Sequence, residues 1–417
     1  MTPSRTPFRS LSIALAALLT VVPAARSQTP APPVRGAVSR APAAAPAGPV
    51  DARLLSALSW RNLGPFRAGR VAGVSGAIGQ PGVFYAGYPA GGLWKTTNAG
   101  QSWTPIFDAI RSVSSIGSVE VAPSDPDVIY VGTGDMITAT TIDRGDGVYK
   151  SVDAGRTWTR LGLERTRHIP SISVDPRDAN TVLLAAQGDP FTKNDVRGVF
   201  RSTDGGRTWA RTLFVDDETG AQRIARAFDV PDVVFATTVK HYVPADYEQE
   251  KLRSWQFGLR PRAPGDTSPT GSALFKSVDG GATWHEVTGG GLPRLVGKVG
   301  VAVAMHTNAQ RVFLVTNDAL FRSDDGGATW RRMAADDERI RNGQGGYSSG
   351  VFVSPANPDV VYTIATAAYR STDGGQTFTG LKGAPGGDDP QQWWIDPTDG
   401  NRMIMGLDQG ATVSLDG

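Results

Sequence analysis

Along most of this chain apolar residues come in short alternating runs, the two-residue period of half-buried strands, and the spacing of helices is almost absent. Residues 116–122 alternate as a first strand, Pro123-Ser124-Asp125-Pro126-Asp127 turns the chain, and 128–132 forms a second. Residues 147–151 and 157–161 supply a third and a fourth, so one unit predicts four antiparallel strands. The same order returns in 172–186, in 299–316 and in 350–364, each time with a polar or proline-containing turn between the first two runs.

Each third run leads into an eight-residue box of the form S-x-D-x-G-x-T-W. The full copies are Ser151, Asp153, Gly155, Trp158; Ser202, Asp204, Gly206, Trp209; Ser277, Asp279, Gly281, Trp284; Ser323, Asp325, Gly327, Trp330; and Ser371, Asp373, Gly375, with Phe378 in place of the indole. Thr96 to Trp103 is a worn copy, and Ser414-Leu415-Asp416-Gly417 begins another. The physical reason is local. Gly supplies the positive φ of a tight hairpin turn, the Asp and Ser oxygens accept from loop amides, and the ring buries apolar surface on the returning strand.

Box starts at 96, 151, 202, 277, 323, 371 and 414 give a period of about 50 residues, the mark of a propeller with several strands per repeat. The prediction is an all-β, seven-bladed β-propeller of four-stranded antiparallel blades. The last unit stops inside its box and lacks a fourth strand, while Ser59-Trp60-Arg61-Asn62-Leu63-Gly64 resembles the fourth-strand segment Thr157-Trp158-Thr159-Arg160-Leu161-Gly162 with no box before it. Two compatible expectations follow: the N-terminal strand closes the last blade, and the polypeptide is cut from a longer protein.

Composition adds export and subtracts several chemistries. Residues 1–27 carry Arg5 and Arg9, an apolar run and a small-residue cleavage pattern at Ala25-Arg26-Ser27, so they read as a signal peptide. Residues 28–52 are an Ala/Pro-rich linker, and the propeller is expected over 53–417, periplasmic or secreted, with no membrane span once the signal is removed. A net charge of +2 with interspersed signs argues against nucleic acid. With no Cys, and His only at 168, 241, 285 and 306, no metal or other cofactor is expected.

The boxes resemble the Asp-box (BNR) repeats of sialidases, sortilin-type receptors, photosystem assembly propellers and family 74 glycoside hydrolases. Trp60 to Pro65 and Gly91-Gly92-Leu93-Trp94-Lys95-Thr96-Thr97-Asn98-Ala99-Gly100 are most similar to exported bacterial proteins labelled glycosyl hydrolase or sortilin-like. The resemblance covers residues 58–417 and implies that the boxes are scaffold, on the face opposite the usual binding cleft. It also implies a possible second propeller in a longer chain. Residues 85–92 resemble the family 74 pattern Y-A-R-T-D-x-G-G, with Pro89 where that family has its catalytic Asp. In that family the second acid lies in a second propeller.

The other face is built by loops joining strands two to three and strand four to the next blade. There Asp135, Asp189, Asp318 and Asp408 fall in nearly one register, three of them after a Gly or Asn. Asp135, Asp189 and Asp408 are the candidate catalytic acids, since glycoside hydrolysis needs two carboxylates across the bond. Each of these Asp residues equally suits the capping of its own turn. Arg70, Arg144 and Arg197 are candidates for binding a ligand's anionic or hydroxyl groups, as is Asp318. The long interval between Ser202 and Ser277 inserts aromatics, Tyr242 and Trp255 among them, that could wall a groove. The leading expectation is a module that binds a polysaccharide, an oligosaccharide or an extracytoplasmic peptide. The alternative is a polysaccharide-acting glycoside hydrolase whose catalytic pair is incomplete in this chain.

Overall fold

The computed structural model describes residues 69–135, 143–240, 242, 271–316, 319–341, 350–383 and 388–417. All belong to the compact unit Leu63–Gly417. The signal, the linker, the strand around Trp60, Trp255 and Asp318 lie outside the described residues.

Seven antiparallel sheets follow one another in chain order, six with four strands and the last with three among the described residues. Their first strands are Gly73–Gly76, Ile116–Val121, Ser171–Asp175, Thr219–Arg226, Gly300–Val303, Gly350–Val353 and Gln392–Asp396. These seven strands together line a central cavity, so they form the inner wall of a seven-bladed propeller. Among the described residues the helical segments are two 3-10 turns, Glu164–Thr166 and Glu338–Arg341. Apolar side chains from neighbouring blades interlock between the sheets. In one such layer Phe107 of the first blade meets Tyr149 and Trp158 of the second edge to face, at 5.3 and 5.1 Å between ring centroids. Fully burying one such ring contributes about 1.5–3 kcal/mol.

The boxes join strands three and four, and their polar atoms are used inside the turn. Ser202 Oγ donates to Asp204 Oδ1 (2.8 Å) and accepts from the Gly206 amide (2.8 Å). Asp204 Oδ1 accepts from the Thr208 amide (2.9 Å), and Oδ2 from the Thr208 hydroxyl (2.6 Å). The box glycine has a positive φ, 90° at Gly155, and a Cβ there would lie 2.6 Å from Ile106 of the preceding blade.

Each box is also an inter-blade joint. The indole N–H of Trp158 donates to Ile106 O (2.7 Å), that of Trp209 to Leu161 O (3.0 Å), and that of Trp284 to Thr212 Oγ1 (3.1 Å), each on the outer part of the blade before. Trp330 instead bonds Gly327 O of its own box (3.0 Å). In the other direction, the basic residue just before one box reaches a carbonyl of the next. Lys95 bonds Ala154 O, Lys150 Gly205 O, Arg201 Gly280 O, Lys276 Gly326 O and Arg322 Gly374 O. Three of these cations lie over the aromatic ring of their cross-strand partner: Lys95 on Tyr85, Lys150 on Tyr130 and Lys276 on Phe235.

At the seam between the last blade and the first, Val413 occupies that basic position. Arg402, from the second strand of the last blade, takes over. Its guanidinium donates to the carbonyls of Gln80, Pro81 and Val83 in the first blade (2.8, 3.0 and 2.8 Å) and to Asp396 Oδ2 (2.6 Å). It also lies over the ring of Phe84, 4.4 Å from its centroid. Both charged side chains are almost fully buried, at 4% and 3% exposure.

Two predictions follow from these contacts. Arg402→Ala leaves Asp396 charged and buried without its cation, so urea unfolding should show a loss of about 3–5 kcal/mol. Adding Asp396→Asn to that variant should restore part of the loss. The box carboxylates give the acid limit. Hydrogen bonds from Thr157 hold Asp153 down at about 2, and those from Thr329 do the same for Asp325. A depressed folded pKa contributes stability above the unfolded value of about 3.9 that is lost as pH falls through the folded one. Midpoints of unfolding should therefore drop between about pH 4 and pH 2, less steeply in Asp153→Asn.

Candidate functional site

The face opposite the boxes carries a group of ionisable and amide side chains close to the propeller axis. Gly134 and Gly188 explain the register seen in the sequence. Gly134 has φ 92°, and a Cβ there would collide with the Arg167 carbonyl; Gly188, at φ 75°, sits against the side chains of Asn194 and Arg197. The acids that follow are thereby set at the ends of the second strands of blades two and three.

Asp135 is buried, and its carboxylate accepts a hydrogen bond from Arg70, which enters just before the first blade. The Asp135 carbonyl lies 2.9 Å from His168 Nδ1. Burial lowers His168 to about 4, so this imidazole is neutral at ordinary pH. Lys298, between blades four and five, is also buried. Desolvation pulls its ammonium down to about 7; the Asp135 charge opposes this, and Arg70 and Arg223 reinforce it. Sequence reading found Arg70 and Asp135 but missed Lys298 and His168, which have no local motif.

Arg144 reaches Asp189 at 3.4 Å, with Arg144 about half exposed. Arg197 is turned inward and fully buried. Its guanidinium donates to the carbonyls of Gln187, Asp189 (2.6 Å) and Thr192 (3.0 Å), which clamps the loop between the second and third strands of blade three. Tyr242 lies at the start of the insert, with the Lys193 ammonium 5.6 Å from its ring centroid.

Blade seven holds a separate group of acids. Gln391 Nε2 donates to Asp408 Oδ1 and to the Asp389 carbonyl, both at 2.9 Å, while the Asp408 amide donates to the Asp388 carbonyl at 3.3 Å. Lys382 pairs with Asp388 at 2.8 Å. Asp389 takes a positive φ of 44°, and its Oδ1 is buried with no hydrogen-bond partner. Burial, then the Asp408 and Asp388 charges, push the Asp389 carboxyl above the usual carboxylate range. A raised acid beside a second carboxylate is a pairing suited to proton transfer. Asp408 was legible in the sequence; Asp389 was not, although Asp388-Asp389-Pro390 precedes the strand as a plain turn signal.

No family model matches the chain. A xyloglucanase from a Paenibacillus species is 24% identical over 245 residues, covering 55% of this chain and 22% of the relative. A xyloglucanase from Hypocrea jecorina is 30% identical over 173 residues, covering 37% and 19%. The match thus spans a minor part of the length of these curated relatives. Among solved structures, the GH74 xyloglucanase from Xanthomonas campestris aligns over 86% of this chain and 53% of its own, with 20% identity and a TM-score of 0.59. YCF48 bound to D1 peptide aligns over 84% of this chain and 94% of its own, with 13% identity and a TM-score of 0.53. At these identities the structural likeness is one of fold, and the sequence likeness is to polysaccharide-acting xyloglucanases over part of the chain.

Lys298 provides a pH test of this face. Its folded pKa lies below the unfolded value of about 10.4, so between the two the unfolded state binds more protons and stability rises with pH. Denaturant midpoints of the native chain, compared with Lys298→Met, should show an extra gain from pH 7 to pH 9 that the variant lacks.

Proposed function

We propose that this chain is a β-glucan-recognising propeller of the polysaccharide-acting glycoside hydrolase class, exported, with its substrate on the face bearing Asp135, Asp389 and Asp408. The observation that carries the reading is the carboxyl pair in blade seven. Asp389, raised by burial and two neighbouring charges, is the group to protonate a glycosidic oxygen. Asp408, oriented by Gln391, is the group to stabilise the cationic sugar or to direct water at it. Arg70, Asp135 and Arg144 supply hydrogen-bonding groups for sugar hydroxyls along the same face. Partial sequence similarity to xyloglucanases supports xyloglucan as the first substrate to try. The box sequences, which resemble Asp-box repeats, support the same class, with further propeller in a longer native chain completing the cleft.

A second reading is a binding module without catalysis. It is favoured by the alignment over 94% of the YCF48 chain, whose solved complex holds a D1 peptide. Pro89, standing where family 74 enzymes have an acid, points the same way.

Reducing-end release from xyloglucan separates the two. On the catalytic reading, Asp389→Asn and Asp408→Asn each lower kcat by about 100-fold or more while binding persists, the usual scale for losing a positioned acid or base. Asp388→Asn removes one of the charges that raise Asp389, so the alkaline limb of the rate profile should move to lower pH with the optimum rate little changed. Binding to xyloglucan without any release by the unaltered chain would leave the binding-module reading standing. An absence of binding to any β-glucan would end both the substrate assignment and the catalytic one.

A further inference from the structure

The central channel opens on the box-bearing face, away from the acids described above. It encloses about 290 Å3 and is walled by the seven first strands. Its rim is made by the turns that follow them, with Pro123, Pro176, Phe228, Met305, Pro355 and Pro397. One charged group in it has so far entered only through its charge on Lys298. Arg223, on the first strand of blade four, crosses the axis and donates to Gln392 Oε1 of blade seven at 2.5 Å. Its guanidinium lies 5.6 Å from the ring centroid of Phe352 in blade six.

A β-bulge sets this side chain there. Ala221 pairs with Thr238 and Arg223 with Thr237, which leaves Gln222 as the extra residue. Ile224 then packs into the apolar layer with Leu183 and Ala236, and Arg223 goes to the channel. A guanidinium has five N–H donors, and among the described residues Arg223 uses one, on a neutral amide. The nearby anions are otherwise engaged. Asp175 pairs with Arg177 at 2.8 Å and with Arg226 at 3.4 Å. Glu120, which also lines the channel, is pushed up to about 8 by burial and has Arg226 as its charged neighbour. Arg223 is itself lowered by burial, with no opposing carboxylate. Arg223 is part-buried on the channel wall, and among the described residues its one hydrogen bond goes to a neutral amide.

We propose that this channel is a binding site for a small organic carboxylate, its two oxygens on the Arg223 guanidinium and its body against Phe352. The planar fork of arginine matches a carboxylate with two parallel hydrogen bonds, and the apolar wall favours an acid with a ring or short hydrocarbon body over a hydrated inorganic anion. The site uses none of the residues to which the glycan reading gives a role.

Calorimetric titration of the full chain with benzoate, and with benzamide as its neutral isostere, tests the proposal. The expected result is one saturable benzoate site that benzamide does not fill. Arg223→Gln should weaken benzoate binding at least tenfold, and Arg223→Lys, which keeps the charge and loses the fork, should also weaken it. Arg165→Gln, which alters an exposed cation on the outer surface, should leave it unchanged. Arg223 is part-buried and makes one hydrogen bond, so Arg223→Gln should change the melting temperature without ligand little; if it fails to fold, Arg223→Lys carries the test. Absence of benzoate binding, equal binding of benzamide, an equal response to chloride or phosphate, or full affinity in both Arg223 variants would each overturn the proposal.

Discussion

Arg402 stands where the last blade meets the first, and a ring of seven sheets is only as stable as that meeting. Five other junctions are held by a basic residue that caps the next box, combined at three of them with an indole bonded back to the blade before. The seam has neither a base beside its last box nor a full first box to receive one. A single guanidinium compensates by meeting three carbonyls and a buried carboxylate. Surface ion pairs contribute little, whereas a desolvated arginine with every neighbour aligned is hard to replace. Arg402 thus joins the Val71 amide bonded to the Leu407 carbonyl and the ring pair of Phe84 and Trp394 in closing the propeller.

The two ends of the axis differ chemically for reasons that lie in strand register. On the loop face charges come in matched sets, Arg70 with Asp135 and Arg144 with Asp189, and shifted titrations there belong to Lys298 and Asp389. Within the channel the bulge at Gln222 delivers one cation. Both arrangements depend on rigid strands holding groups that would separate or hydrate if the backbone relaxed. Function is thus carried by exceptions to an otherwise repetitive pattern.

Those exceptions also mark where sequence reading stops. Strand alternation and box chemistry are local, so all seven blades and the box-bearing turns could be placed from residues within a few positions of one another. Gly134-Asp135 and Gly188-Asp189 were legible for the same reason, because a positive φ must be written into the chain. Arg197 looked like a cleft cation, yet burial turned it into a clamp for loop carbonyls. Asp389, Lys298, Arg223 and Arg402 gave no signal, since each takes its meaning from a partner not adjacent in sequence: Asp408 across a hairpin of the same blade, and Asp135, Gln392 and the turn at Gln80 through the closed ring. Residues 241 and 243–270, with Trp255, and Asp318 fall outside the described chain and leave that part of the reading as an expectation.

The indole contacts have a direction. Trp158, Trp209 and Trp284 each bond a blade that precedes them in the chain. A polypeptide leaving the ribosome presents its N-terminal blades first, and domains acquire structure in that order during synthesis. Each of these three boxes therefore follows its docking surface in the chain, an order in which the surface is made before the ring that needs it. Arg402 lies downstream of all of them, so the latch becomes available only when the circle is ready to be shut.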